Sequence, residues 1–170
     1  FSVNKFHADL KSQNVAVAKD TLHEYLAYLE DAFLLCSVSV ATESEQRRRV
    51  NPRKAYPIDM ALIPLYDRSG RANIGHALET AVALELLRRA AALAYVRTAD
   101  GFEVDFLARL PGGEEQLVQV CTSLDAPETL AREVRALDAA GAEHPRARQR
   151  LVVLDMPAVP PAPPHVEVVA

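Results

Sequence analysis

The chain has 170 residues, 49% hydrophobic and 25% charged, with a net charge of −4, the composition of a globular protein that buries roughly 68–70% of its unfolded surface without disulfides. Two cysteines, Cys36 and Cys121, stand apart with no CxxC pair and no nearby His-x-x-x-His, which excludes a zinc finger or a disulfide scaffold and points to a reducing compartment, the cytoplasm. No apolar run reaches the ~18 residues of a membrane helix, and no basic segment leads into an apolar one at the start.

Phe1 opens the chain without an initiator Met, as a piece of a longer polypeptide would. Residues 4–13 are predicted as a short helix, with Phe6 and Leu10 at i, i+4, and residues 14–18 break it. A second helix starts at Asp20, where Leu22, Tyr25, Leu26, Leu29 and Phe33 recur at i, i+3, i+4, i+7 and i+11, a stripe expected to be buried. Residues 34–40 are β-branched and apolar, and 54–58 form a second strand around Tyr56. With the polar loop 41–53 between them they make a wing-like hairpin. Helix, turn, helix and hairpin describe a winged-helix module over residues 1–66.

Residues 67–72 read as a connector. Asn73 is a candidate cap for a long helix to about residue 92, with Ile74, Leu78, Val82 and Leu86 carrying the apolar stripe. The period then changes from 3.6 to 2. Strands are predicted at 93–98, 102–110 and 116–122, with turns at 99–101 and 111–113, followed by a helix at 126–140 bearing Leu130, Val134 and Leu137. Residues 151–154 form a short apolar strand of the kind buried in a sheet. The second unit, 73–156, is therefore an α/β domain in the order αβββαβ. Five prolines between 157 and 164 predict an extended linker, and 166–169 a last edge strand, within a tail spanning 157–170.

Charge is uneven along the chain. Residues 1–57 carry eight Lys and Arg against seven Asp and Glu, and residues 58–170 carry eleven against sixteen. The basic excess gathers in Arg47, Arg48, Arg49, Arg53 and Lys54, within eight positions free of acids. That run reads either as a solvated loop or as a phosphate-binding patch for nucleic acid. The helix at 20–33 is acidic, with Asp20, Glu24, Glu30 and Asp31 against Lys19, and phosphates would repel it. Packing, or contact with a neighbouring domain, is the expectation there.

Glycines at 70, 75, 101, 112, 113 and 141 form neither a phosphate loop nor a dinucleotide-binding motif, and the five histidines lie in unrelated contexts without a GxSxG elbow. The acid pair in Phe102-Glu103-Val104-Asp105-Phe106 is sharper. Strict alternation would put Phe102, Val104 and Phe106 on one face and Glu103 and Asp105 on the other. Gln119 and Cys121 share a face of the next strand, and Glu79 projects from the first helix of the unit. If that helix packs across these strands, Glu79, Asp105, Gln119 and Cys121 converge. Glu85 is the competing helix acid; six positions, about 600° of rotation, place it on a different face from Glu79. The alternative is a structural polar cluster in which Arg88, Arg89 or Arg97 compensates the acids.

The constellation resembles the PD-(D/E)xK restriction-endonuclease-like superfamily, whose αβββαβ core carries a Glu on the first helix, an Asp on the second strand and Glu-x-Lys on the third. The resemblance implies that Glu79 and Asp105 would hold Mg²⁺, a hard ion that takes oxygen ligands. Gln119-Val120-Cys121 stands where Glu-x-Lys is expected. Gln119 offers no charge, and Cys121 is mostly a neutral thiol at pH 7 and too soft for magnesium. Loss of the positioned cation would cost at least ~10²-fold in rate, so the resemblance implies a degenerate site.

Further motifs extend the likeness over nearly the whole chain: Lys19-Asp20-Thr21, Tyr25-Leu26-x-Tyr28-Leu29-Glu30-Asp31-Ala32-Phe33, Asn51-Pro52-Arg53-Lys54-x-Tyr56-x-x-Asp59, Leu78-Glu79-x-x-Val82-x-x-Glu85-Leu86, Glu103-Val104-Asp105-Phe106 and Gln119-Val120-Cys121. As an ordered set they resemble the C-terminal domain of unknown function that follows the ATPase module in prokaryotic AAA-type P-loop ATPases. That resemblance implies an ATPase domain upstream of Phe1, ATP bound there and no cofactor here beyond Mg²⁺ at the degenerate site. The expected role is a non-catalytic regulatory or nucleic-acid-interacting module, with a Mg²⁺-dependent nuclease acting on DNA as the alternative. The expected partners are the ATPase domain, DNA and a further copy of the chain, with no membrane.

Overall fold

The computed structural model describes residues 3–66, 73–155 and 162–170. The connector expected at 67–72, and residues 157–161 of the expected linker, lie outside the described residues. In chain order the elements are α1 (Val3–Ser12), α2 (Lys19–Asp31), β1 (Leu35–Val40), α3 (Glu45–Val50), β2 (Lys54–Pro57), α4 (Leu62–Tyr66), α5 (Ile74–Arg89), β3 (Ala92–Arg97), β4 (Glu103–Arg109), β5 (Glu115–Cys121), α6 (Pro127–Glu143), β6 (Ala147–Val153) and β7 (Val166–Val169). This is a mixed α/β protein whose strands form one seven-stranded sheet in the order β2-β1-β3-β4-β5-β6-β7.

Local chemistry accounts for many of the boundaries. The Asn73 side chain accepts from the His76 backbone N–H at 3.1 Å, capping α5 as its sequence predicts. Pro127 opens α6, where its missing N–H costs nothing. Gly101 and Gly113 adopt φ of +87° and +81° in the two turns that join β3 to β4 and β4 to β5, a conformation that a side chain would strain. Antiparallel pairing follows from those short turns, whereas β5 and β6 pair in parallel because α6 carries the chain back between them.

Two elements are unexpected, and β6 begins at Ala147 rather than at residue 151. The segment expected as a polar loop contains α3, capped by Ser44, whose hydroxyl accepts from the Arg47 N–H at 3.3 Å. Three arginines then fall in its last turn, where the helix dipole favours cations. The second is α4, a short helix where the sequence pattern predicts none. The hairpin of β1 and β2 forms in antiparallel register, with Cys36 opposite Tyr56 and Val38 opposite Lys54. Beyond the hairpin, Ser39 and Val40 pair in parallel with Ala94 and Tyr95. The two expected units therefore share one sheet.

Side chains on the two faces of that sheet make two cores. On the α5 side lie Val38, Val40, Tyr56, Ala83, Tyr95, Phe106 and Val118. On the α6 side lie Val96, Val104, Leu107, Leu117, Leu130, Leu137, Leu151 and Val166, among others. Each fully buried side chain of this size contributes about 1.5–3 kcal/mol by leaving water. The stripe on α2 expected to be buried is mostly exposed. Leu22 is covered, but Tyr25, Leu29 and Phe33 are 55%, 40% and 79% exposed. The reason is geometric: α2 packs mainly against α1 and β1, and those contacts cover the line of its surface around Leu22.

Candidate functional site

On the α5 face, β2 supplies Lys54 and Tyr56, two positions apart and therefore on the same side of the strand. The Lys54 ammonium donates to Asp105 Oδ1 at 2.7 Å and to Glu79 Oε1 at 3.2 Å, and pairs with Glu103 Oε1 at 3.2 Å. Tyr56 donates its hydroxyl to the same Glu79 Oε1 at 2.7 Å. Asp105 Oδ2 accepts from the Val120 N–H at 3.0 Å. The ammonium also lies 5.8 Å from the Tyr95 ring centre and 5.9 Å from that of Phe106, in reach of weak cation–π attraction. Lys54 keeps only 18% of its side-chain exposure, while Glu103, at the rim, keeps 50%.

A bulge aims Asp105 at this cluster. Ala94 pairs with Leu107 and Val96 with Val104, with a register shift between them, so Asp105 and Phe106 together stand opposite Tyr95. An extra residue in one strand of an antiparallel pair redirects the side chains around it. Phe106 joins the α5-side core and Val104 the α6-side core, so the single apolar face expected for Phe102, Val104 and Phe106 does not form.

The electrostatics follow from burial and crowding. Burial lowers the pKa of the Lys54 ammonium, but Asp105, Glu79 and Glu103 outweigh it and hold that pKa above the ordinary lysine range. Burial pushes the Asp105 carboxyl up; Lys54 pulls it back only in part, and Glu79 adds to the rise. Burial and the bond to Glu79 push the Tyr56 hydroxyl up as well. Lys54 is therefore a permanent cation, and Tyr56 a permanent donor, in the working range of pH.

Of the four side chains expected to converge, Glu79 and Asp105 meet through Lys54. Gln119 and Cys121 sit on the α6 side instead. Gln119 accepts from the Asp105 backbone N–H at 3.1 Å and donates to Glu133 of α6 at 2.8 Å. The Cys121 thiol turns to its own loop, donating to the Ser123 carbonyl at 3.0 Å. Alternation along β5 puts Gln119 and Cys121 on the face away from Val118 and Val120, and the bulge in the β3–β4 pairing turns Asp105 to the α5 side, away from them. On the α5 side, β5 contributes Val118 and Val120.

The compensating cation is likewise not an arginine of α5. Arg88 and Arg89 both pair with Glu85 on the exposed side of the helix, as the rotation between Glu85 and Glu79 predicts. Lys54, read from the sequence as part of the basic patch, faces inward and is withdrawn from it. Arg47, Arg48, Arg49 and Arg53 remain exposed, with Arg48 held by Glu45 at 2.7 Å and by the Thr42 carbonyl at 2.9 Å. The residues that sequence reasoning misses as site members are Lys54, Tyr56 and Glu103. The alternation Lys54-x-Tyr56 on a strand with an inward Tyr is the signal that could have found the first two.

A divalent metal of the kind the fold resemblance implies needs hard oxygen donors, and Glu79, Glu103 and Asp105 have that chemistry. Their arrangement does not fit it. Among the described residues no three His, Cys, Asp or Glu side chains are grouped to hold a metal, and the three acids point at the Lys54 ammonium.

The class that this fold defines is a mixed α/β protein with a charged cluster at the junction between its hairpin and its core. No family model matches the chain, and no solved structure matches it. An uncharacterized protein of Methanocaldococcus jannaschii is similar, at 32% identity over 143 residues that cover 82% of this chain and 31% of the relative. The chain thus spans less than a third of that relative's length.

Proposed function

We propose that this chain is a non-catalytic, nucleic-acid-interacting regulatory module of a P-loop ATPase, built from a winged-helix-like N-terminal unit and a restriction-endonuclease-like core. The carrying observation is the position of Lys54. Its ammonium occupies the point where the three carboxylates meet, on a face where β5 contributes Val118 and Val120. The cation missing at the position of Cys121 is thus supplied from β2, but as the partner of the acids rather than beside an ion they hold. A phosphodiester approaching this pocket meets three carboxylates and one ammonium, a net negative field that repels it. The order αβββαβ from α5 to β6 supports the core assignment.

Nucleic acid would be met by the exposed arginines of α3. The module would work in the cytoplasm, joined to an upstream ATPase domain whose state it transmits or receives. Among the described residues no helix is long and apolar enough to cross a membrane. The test is DNA binding across a salt series, alongside plasmid nicking with Mg²⁺. Replacing Arg47, Arg48 and Arg49 by Ala should weaken binding and reduce the dependence of log K on log salt by about 2–3, near 0.9 for each phosphate no longer neutralised. Plasmid should stay uncut. Unchanged affinity removes the arginine interface, and Mg²⁺-dependent cutting abolished by Asp105→Ala makes the chain a nuclease instead.

A further inference from the structure

We propose that Lys54 is a built-in counter-cation that takes the place of a divalent metal among Glu79, Glu103 and Asp105, and that by doing so it ties the N-terminal hairpin to the core. This rests on the reading that the pocket is not a metal-dependent active site, but it makes a separate claim about how the molecule is held together.

Backbone pairing joins the hairpin to the rest of the sheet through Ser39 opposite Ala94 and Val40 opposite Tyr95, with one further bond from the Ala41 N–H to the Tyr95 carbonyl at 2.7 Å. Around this pocket the β2 side supplies further polar links between the hairpin and the core: Lys54 to three acids, Tyr56 to Glu79, and the Pro52 carbonyl, which accepts from the Tyr95 hydroxyl at 2.7 Å. The acids all belong to α5 and β4. Removing the ammonium leaves three partly buried carboxylates facing one another, and such uncompensated charge opens the contact that buried it. A divalent cation would supply the same compensation to the acids, because it too gathers hard oxygens.

Hydrogen exchange on the intact chain tests this, with Mg²⁺ as the probe. In Lys54→Ala, amides of β1 and β2 should exchange at least about tenfold faster than in the wild type, while β5 and β6 keep their protection. Mg²⁺ should bind that variant and slow exchange in the hairpin again, and the same addition should leave the wild type unchanged. Glu103→Gln, at the half-exposed rim, keeps the fold and should give a smaller opening if Lys54→Ala fails to fold. Wild-type exchange in both variants overturns the tie. Mg²⁺ binding to the wild type as tightly as to Lys54→Ala overturns the counter-cation, as does failure of Mg²⁺ to restore protection in Lys54→Ala. DNA binding through α3 is measured independently, so loss of one proposal leaves the other standing.

Discussion

Asp105 is under opposing pulls: burial and Glu79 push its carboxyl up while Lys54 draws it down. It is mostly buried, and its pKa lies above the ordinary carboxylate value because desolvation outweighs the pull of Lys54. A raised folded-state pKa means that the native state holds this proton more tightly than the unfolded chain does. Its contribution to stability is therefore full below the ordinary carboxylate pKa and declines as pH rises through the raised one. Asp105→Asn removes that dependence. The stability of the wild type relative to the variant should fall with rising pH across this window, as read from urea midpoints at a series of pH values; a rising difference would contradict the assignment. Lys54 behaves oppositely in charge. Its raised pKa adds stability that persists below the ordinary lysine range and disappears only when the ammonium titrates at alkaline pH.

At the scale of elements, the end of α2 is informative. Phe33 takes φ of 53°, while the Leu34 N–H returns to the Leu29 carbonyl at 3.0 Å and the Phe33 N–H to that of Glu30 at 3.0 Å. This is the helix stop that glycine usually makes, because a side chain in the left-handed region costs about 1–2 kcal/mol. Phe33 gains little in return, being largely exposed. Phe33→Gly should therefore raise stability by up to about 1 kcal/mol, after the greater chain entropy of glycine is subtracted, and lift Tm by about 2–4 °C. Thermal melting checks this. The periodicity of α2 is legible in the sequence, but its burial is not. A 3.6-residue stripe shows which side chains share a face; what covers that face depends on where α1 and β1 fall.

For the molecule as a whole, β7 closes the sheet beside β6. Val166 is buried in the α6-side core, and Glu167 pairs with Arg150 at 2.8 Å. His165 faces Asp138 of α6 at 2.8 Å. Removing residues 162–170 should uncover the β6 edge, and unpaired edges recruit other strands. The expected result is a lower Tm together with concentration-dependent self-association, measured by melting and light scattering. A shortened chain that stays monomeric with an unchanged Tm would show that β7 does not close the sheet.

Nearly every regular segment can be read from the order of residues, because caps, turn glycines and the change from a 3.6 to a 2.0 period are local and leave their marks within a few positions. Asn73, Gly101, Gly113 and Pro127 are examples, and the αβββαβ succession follows from them. Glu79 and Asp105 are legible as candidates for the same reason. Their companion is not, because Lys54 and Asp105 lie 51 positions apart and meet only after β1 pairs with β3 and swings the hairpin over α5. The bulge at Asp105 has no local signature either. It arises between β3 and β4, and by adding a residue to β4 it turns Asp105 away from Gln119 and Cys121 and toward the lysine on the other side of the sheet.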